Sequence, residues 1–154
     1  MMKLNNPKTA LVYAVDLLAV RSYSVNQLKA KLKRRDYSDE EIELAITKLL
    51  QKHYLDDTDL CKRQCNAYFN EKKRSVKAIR YKLMEKGFNS DDIEEAFDDL
   101  AIDTVDYEYK VCLKLLSSHF KVNSVDKQKY YAYLYRKGFS SSSIRVAIED
   151  FCLA

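Results

Sequence analysis

The chain has 154 residues, 47% of them hydrophobic and 32% charged, and its 27 Lys and Arg against 23 Asp and Glu leave a formal net charge of +4. This suits a folded soluble protein, and the mild basicity allows a polyanionic partner without demanding one. Two glycines exclude a glycine-rich phosphate loop, and no apolar run is long enough to span a bilayer; with no signal-peptide pattern either, the cytoplasm is the expected compartment.

Few helix breakers, with the one proline at position 7, predict an almost wholly α-helical chain. Residues 1–8 are expected to fray. Ala10, Tyr13, Ala14, Leu17 and Leu18 then mark an apolar stripe at helical spacing, closed by Arg21 and Ser22. Ser24 with Gln27 predicts a capping box and a second helix carrying Leu28 and Leu32 inward. Ser38 with Glu41 predicts another, opening a third helix with Asp39 and Glu40 at its positive end and Ile42, Ala45, Ile46 and Leu49 inward.

The same plan returns twice. Leu60, Cys61, Gln64, Cys65, Tyr68 and Phe69 form a first helix, which Asp57 or Asp59 is expected to start. Ser75 takes the slot of Ser24, Ile79 and Leu83 point inward, Gly87–Phe88 make a turn, and Asn89 caps a helix holding Ile93, Ala96, Phe97 and Leu100. In the last copy Val111, Cys112, Leu115, Leu116 and Phe120 lead, then Tyr130 and Leu134, the Gly138–Phe139 turn, Ser140 as cap, and Ile144, Ala147, Ile148 and Phe151. Asp36 stands where the two glycines stand, so the first turn is expected to be formed differently.

The period is 51 residues. It aligns Leu32, Leu83 and Leu134; Tyr37, Phe88 and Phe139; Ile42, Ile93 and Ile144; and Ala45, Ala96 and Ala147. Such a repeat implies stacked copies of one unit, each burying an apolar face partly against its neighbour. The expected fold is all-α: a flexible terminus over 1–8, then three-helix repeats over 9–55, 56–106 and 107–154, in a continuous array that is elongated and open to curvature.

Charge is uneven. Second helices and their approaches are basic: Lys29, Lys31, Lys33, Arg34 and Arg35, then Lys72, Lys73, Arg74, Lys77, Arg80, Lys82 and Lys86. A cation recurs at one slot, as Arg35, Lys86 and Lys137. The third helices of the first two repeats are acidic instead. This reads as a basic stripe facing one partner surface and an acidic stripe facing another, against the plainer reading of solvated helices with a charge bias. A helix-turn-helix DNA reader is disfavoured, because carboxylates open those third helices and phosphates would repel them. In the last repeat Tyr130 and Leu134 facing inward would point Tyr135 outward beside Arg136 and Lys137, suiting a base stack, a protein contact, or packing on a neighbouring helix.

Cys61 and Cys65 share a helical face and Cys112 repeats the Cys61 slot; core packing is favoured over zinc ligation, since no C-x-x-C pair or histidine cluster accompanies them. His53 and His119 are isolated and read as surface or helix-end residues. No catalytic constellation is present, and no cofactor or metal is expected.

Tyr54–Leu55–Asp56–Asp57, then Cys61, Tyr68, Lys72, the basic run to Arg80, and Leu83, Lys86, Gly87 and Phe88 resemble the RecX family, bacterial modulators of the RecA recombinase. The helix from Ile93 to Leu100 also fits, and the likeness runs over 9–154. The resemblance implies a tandem three-helix-repeat protein, non-enzymatic and lying in the groove of the RecA–DNA filament; a monomer is expected. There it would restrain growth and suppress ATP hydrolysis and strand exchange. Expected contacts to RecA or, weakly and without sequence preference, to DNA are Lys31, Arg34, Arg35, Lys72, Lys73, Arg74, Lys77, Arg80, Lys82, Lys86, Tyr135, Arg136 and Lys137. A protein–protein scaffold and a standalone non-specific DNA-binding protein are the alternatives.

Overall fold

The computed structural model describes residues 7–121 and 126–153. Among these lie nine helices and no strand: α1 (Ala10–Val20), α2 (Val25–Arg34), α3 (Asp39–Gln51), α4 (Asp57–Glu71), α5 (Val76–Glu85), α6 (Ser90–Leu100), α7 (Thr104–His119), α8 (Lys127–Arg136) and α9 (Ser141–Leu153). Short polar side chains set their starts. Ser24 and Gln27 close a reciprocal capping box at 3.1 Å in both directions, and Ser38 and Glu41 close the other. Ser75, Asn89, Asp103 and Asp126 cap α5, α6, α7 and α8. The cap of α4 is Asp56, not Asp57 or Asp59: its carboxylate accepts from the Asp59 amide at 3.1 Å, while the Asp57 carboxylate reaches out to α2. Of the terminal residues expected to fray, 1–6 lie outside those described. Lys8 accepts from the Tyr37 hydroxyl at 2.7 Å through its carbonyl.

Each trio of helices closes on its own core. Ala14, Leu28, Leu32, Ala45 and Leu49 sit at the centre of the first, Cys61, Cys65, Ile79, Leu83 and Ala96 of the second, and Cys112, Leu116, Tyr130, Leu134, Ile144 and Ala147 of the third. Leu32, Leu83 and Leu134, 51 residues apart, are each 0% exposed, so the repeat is a repeat of environments. A shared apolar face between neighbours was expected and is nearly missing. Among the described residues, Tyr107 packs against both the second and third cores, and no residue of the first core is common to another. The units meet through polar groups instead.

The first turn follows the same path as the other two, which corrects the expectation of a different one. Asp36, Gly87 and Gly138 all take positive φ, at 63°, 91° and 93°. In each, the next residue returns a bond to the core leucine carbonyl: Tyr37 to Leu32 at 3.4 Å, Phe88 to Leu83 at 3.3 Å, Phe139 to Leu134 at 3.4 Å. What singles out the glycines is a neighbour. A Cβ at Gly87 would fall 2.7 Å from the Asn26 Cβ, and one at Gly138 would fall 2.8 Å from the Ser75 hydroxyl. Asn26 and Ser75 both belong to the preceding unit. At the first turn the L-residue Asp36 takes the same conformation.

Candidate interaction surface

The second helices abut head to tail, in reverse chain order. The Ser24 hydroxyl donates to the Lys86 carbonyl at 2.9 Å and the Asn26 amide to the Gly87 carbonyl at 2.8 Å, seating the start of α2 on the end of α5. The Ser75 hydroxyl donates to the Lys137 carbonyl at 2.9 Å, seating the start of α5 on the end of α8. The positive end of each helix thus meets the negative end of the next. Each ten-residue helix contributes about 15 Å to this string.

Two carboxylates lock the joints, and sequence reasoning missed both. Asp57 accepts from the Val25 amide at 2.9 Å. Glu108, 51 residues on and only 5% exposed, accepts from the Val76 amide at 3.0 Å and from the Ser140 amide at 3.1 Å. Beside it, the Tyr107 hydroxyl donates to the Arg74 carbonyl at 2.8 Å, and burial pushes that phenol up to about 12. Burial likewise raises the Asp57 carboxyl above its usual range, partly offset by the Val25 amide. Their place in the 51-residue register was the signal: a carboxylate recurs there, as Asp57 and Glu108.

Three of the expected contact residues have an internal reason to recur. Arg35, Lys86 and Lys137 are the C-caps of α2, α5 and α8, where a cation faces the negative helix end. Each also lies over a tyrosine ring: Arg35 at 4.8 Å from Tyr13, Lys86 at 5.3 Å from Tyr68, Lys137 at 5.1 Å from Tyr133. Others are tied within their own unit. Arg74 pairs with Glu71 and lies over Tyr68, Arg80 pairs with Glu94 and lies 4.1 Å over Phe97, and Lys73 and Lys82 reach Glu71 and Glu85 at 3.6 and 4.0 Å. Arg136 donates to the Ala132 carbonyl of its own helix at 3.2 Å. The side chains of Lys31, Arg34, Lys72 and Lys77 form no ion pair among the described residues. Lys72 ends α4 in the left-handed region (φ 53°) at the mouth of a hollow of about 310 Å³ shared with Tyr107, Lys110 and Lys114. Tyr135 is 61% exposed, as its position opposite Tyr130 and Leu134 predicts.

The two-signed surface is therefore partly closed on itself. Lys29 meets Glu43 at 3.1 Å and Lys33 meets Asp39 at 3.7 Å, so the basic α2 and the acidic α3 face each other, and Lys62 of α4 meets Asp99 of α6 at 2.6 Å. Such exposed pairs add little stability, but they lower the field each stripe presents. The remaining imbalance lies between units. Residues 56–106 hold nine Lys and Arg against thirteen Asp and Glu, whereas residues 107–154 hold eight against four.

The cysteines pack as expected. Cys61, Cys65 and Cys112 are buried, and burial pushes their thiols up to about 12, 11 and 12. His53 is exposed in the turn after α3, and His119 ends α7 with its ring stacked 4.3 Å from Tyr133. No helix among the described residues is long and apolar enough to cross a membrane.

Residues 10–49, which span α1 to α3, match the family described as RecX, first three-helix domain. Over 145 residues the chain is 30% identical to Regulatory protein RecX of Pelodictyon phaeoclathratiforme, covering 94% of this chain and 89% of that protein. Over 138 residues it is 31% identical to Regulatory protein RecX of Haemophilus influenzae strain 86-028NP, covering 86% and 88%. The chain belongs to the RecX family. RecX of Prosthecochloris aestuarii is similar over 95% of both chains at 27% identity. A crystal structure of a regulatory protein RecX superposes with a TM-score of 0.77 at 26% identity, over 92% of this chain and 71% of that one. The crystal structure of RecX from Lactobacillus salivarius shares the fold, with a TM-score of 0.74 over 94% and 96%.

Proposed function

We propose that this chain is a cytoplasmic, monomeric regulator of homologous recombination that binds the RecA–DNA filament and restrains RecA ATPase and strand exchange without catalysis of its own. RecX likeness along nearly the whole chain carries this reading. The head-to-tail string α2–α5–α8 supports it physically, because it repeats one helix end and one cation slot at fixed intervals, as a partner built of repeating subunits requires. In this reading the units divide as 9–55, 56–106 and 107–154, and the cations without an ion pair among the described residues (Lys31, Arg34, Lys72 and Lys77) reach RecA or DNA phosphates.

The test is RecA ATPase on single-stranded DNA with this protein titrated in. Wild type is expected to lower the rate in a salt-sensitive manner. Lys31→Ala, Arg34→Ala, Lys72→Ala and Lys77→Ala together should weaken that inhibition by at least tenfold with helicity unchanged. Arg74 is left intact, because its guanidinium holds Glu71 and lies over the Tyr68 ring. Full inhibition by the fourfold variant removes these cations from the mechanism, and a RecA rate that never changes removes RecA.

A further inference from the structure

The third unit breaks the repeat at one pair of slots. In the first unit the second and third helices are bridged by Lys29 and Glu43, at 3.1 Å. In the second, Arg80 and Glu94 occupy the same two slots and form the same bridge. In the third those slots hold Tyr131 and Arg145. The cation has become an aromatic ring and the carboxylate has become a cation. A third substitution accompanies them: Val25 and Val76 are replaced by Lys127.

The result is an open hollow of about 370 Å³ between α8 and α9, lined by Lys127, Gln128, Tyr131, Arg145, Ile148 and Glu149. Tyr131 and Ile148 supply the apolar wall. The ring is held at two points: its hydroxyl shares a 2.9 Å hydrogen bond with the Ser141 hydroxyl, and it stacks on the Tyr135 ring at 5.9 Å, 14° from parallel. Lys127 and Arg145 stand exposed at the rim without an ion pair among the described residues. The start of α9 beside them carries Ser141, Ser142 and Ser143, where α6 carries Asp91 and Asp92.

We propose that this hollow is a nucleotide subsite for single-stranded DNA, with a base laid on Tyr131 and the flanking phosphates between Lys127 and Arg145. A fixed aromatic face accepts any base, because every base has a π-face, and paired cations supply the backbone contact. The volume lies in the range that holds a small ligand. Glu149 is the one carboxylate in the lining, and as an acceptor it suits a base edge that presents an N–H donor, the N3–H of thymine or an exocyclic amine. An acidic peptide would use the cations but would reach the ring only where an apolar residue happens to lie between its carboxylates, whereas every nucleotide carries both a charge and a ring, which is why a nucleic acid is the fitting occupant. The subsite goes beyond the RecA reading and needs no RecA.

The experiment uses the full chain and a short fluorescein-labelled oligothymidylate, followed by anisotropy at several salt concentrations with no RecA present. Binding is expected, and an abasic oligonucleotide of equal length should bind about tenfold more weakly, the loss of one base–aromatic stack. Lys127→Ala with Arg145→Ala should make the plot of log affinity against log salt shallower by about 1.4, two single-strand phosphate contacts. Tyr131→Leu, which keeps an apolar side chain against the third core, should abolish the preference for the oligothymidylate over the abasic strand. If Tyr131→Leu loses helicity, the abasic comparison and the exposed Lys127/Arg145 pair still decide. Equal affinity for the two oligonucleotides, an unaltered salt slope in the double variant, or equal displacement of the oligonucleotide by poly-glutamate would each overturn the subsite. None of these results depends on RecA inhibition, so the two proposals fail separately.

Discussion

The two joints of this molecule are built to one plan and finished differently. At the first, Ser24 and Asn26 reach the α5 turn, and Asp57, the first residue of α4, holds one amide of α2. At the second, Ser75 reaches the α8 turn, and Glu108, on the second turn of a longer α7, holds one amide of α5 and one at the start of α9. One extra methylene lets a single carboxylate tie two helices of different units together. Tyr107 adds an apolar bridge between the second and third cores that the first joint lacks. The second and third units should therefore move as a pair, with the first held more loosely.

The largest test of this contrast is Glu108→Ala. It leaves two part-buried amides, those of Val76 and Ser140, without acceptors and should cost about 2–3 kcal/mol in urea unfolding. Asp57→Ala strands one amide at a half-buried site and should cost clearly less. Equal losses would erase the difference between the joints.

Next come the turns. Gly87→Ala and Gly138→Ala place a Cβ against the preceding unit at strained positive φ, and each should cost about 1–3 kcal/mol. Asp36→Gly alters an exposed turn and should stay within about 0.5 kcal/mol. Comparable thermal shifts at all three positions would show that the glycines serve the turn alone and not the joint.

A smaller effect lies in pH. The Asp57 carboxyl is raised, chiefly by burial, so its contribution to stability is fully present below the unfolded value and is lost as pH rises through the folded one. Asp57→Asn keeps an oxygen for the Val25 amide and has no charge to desolvate. The stability of wild type relative to this variant, read as the difference in urea midpoints, should therefore decline between pH 3 and pH 7, and a difference that stays constant would exclude a raised Asp57.

The finest probe is thiol labelling of the native chain. Cys61 and Cys112 occupy one slot in two units and are equally buried. Coupled units should expose them at matching rates, well behind the half-buried Cys152. Labelling of Cys61 at a rate far from that of Cys112 would mean that the second and third units open independently.

Much of this was legible without coordinates. Ser24–Gln27 and Ser38–Glu41 announce their helices because a capping box is a local contact three residues long. Leu32, Leu83 and Leu134 announce one buried position because periodic burial leaves a periodic residue type. Asp36 was misread for want of its surroundings: the glycine at that slot answers to Asn26 or Ser75, sixty-odd residues away, and not to the turn. The candidate surface was legible as composition and not as geometry. Arg74 and Arg80 read as outward cations until Glu71, Glu94 and the rings of Tyr68 and Phe97 are placed around them.

Helix starts, inward faces and the 51-residue period were determined by the chain alone, since each follows from side chains within a turn or two of one another or from simple recurrence. Tertiary structure alone decided that the three bundles join through backbone-capping hydrogen bonds, that α2, α5 and α8 line up end to end, and that Tyr131 and Arg145 stand where the other units hold an ion pair. Those facts depend on which distant amide or carbonyl comes within 3 Å of a given side chain, and no local pattern encodes that distance.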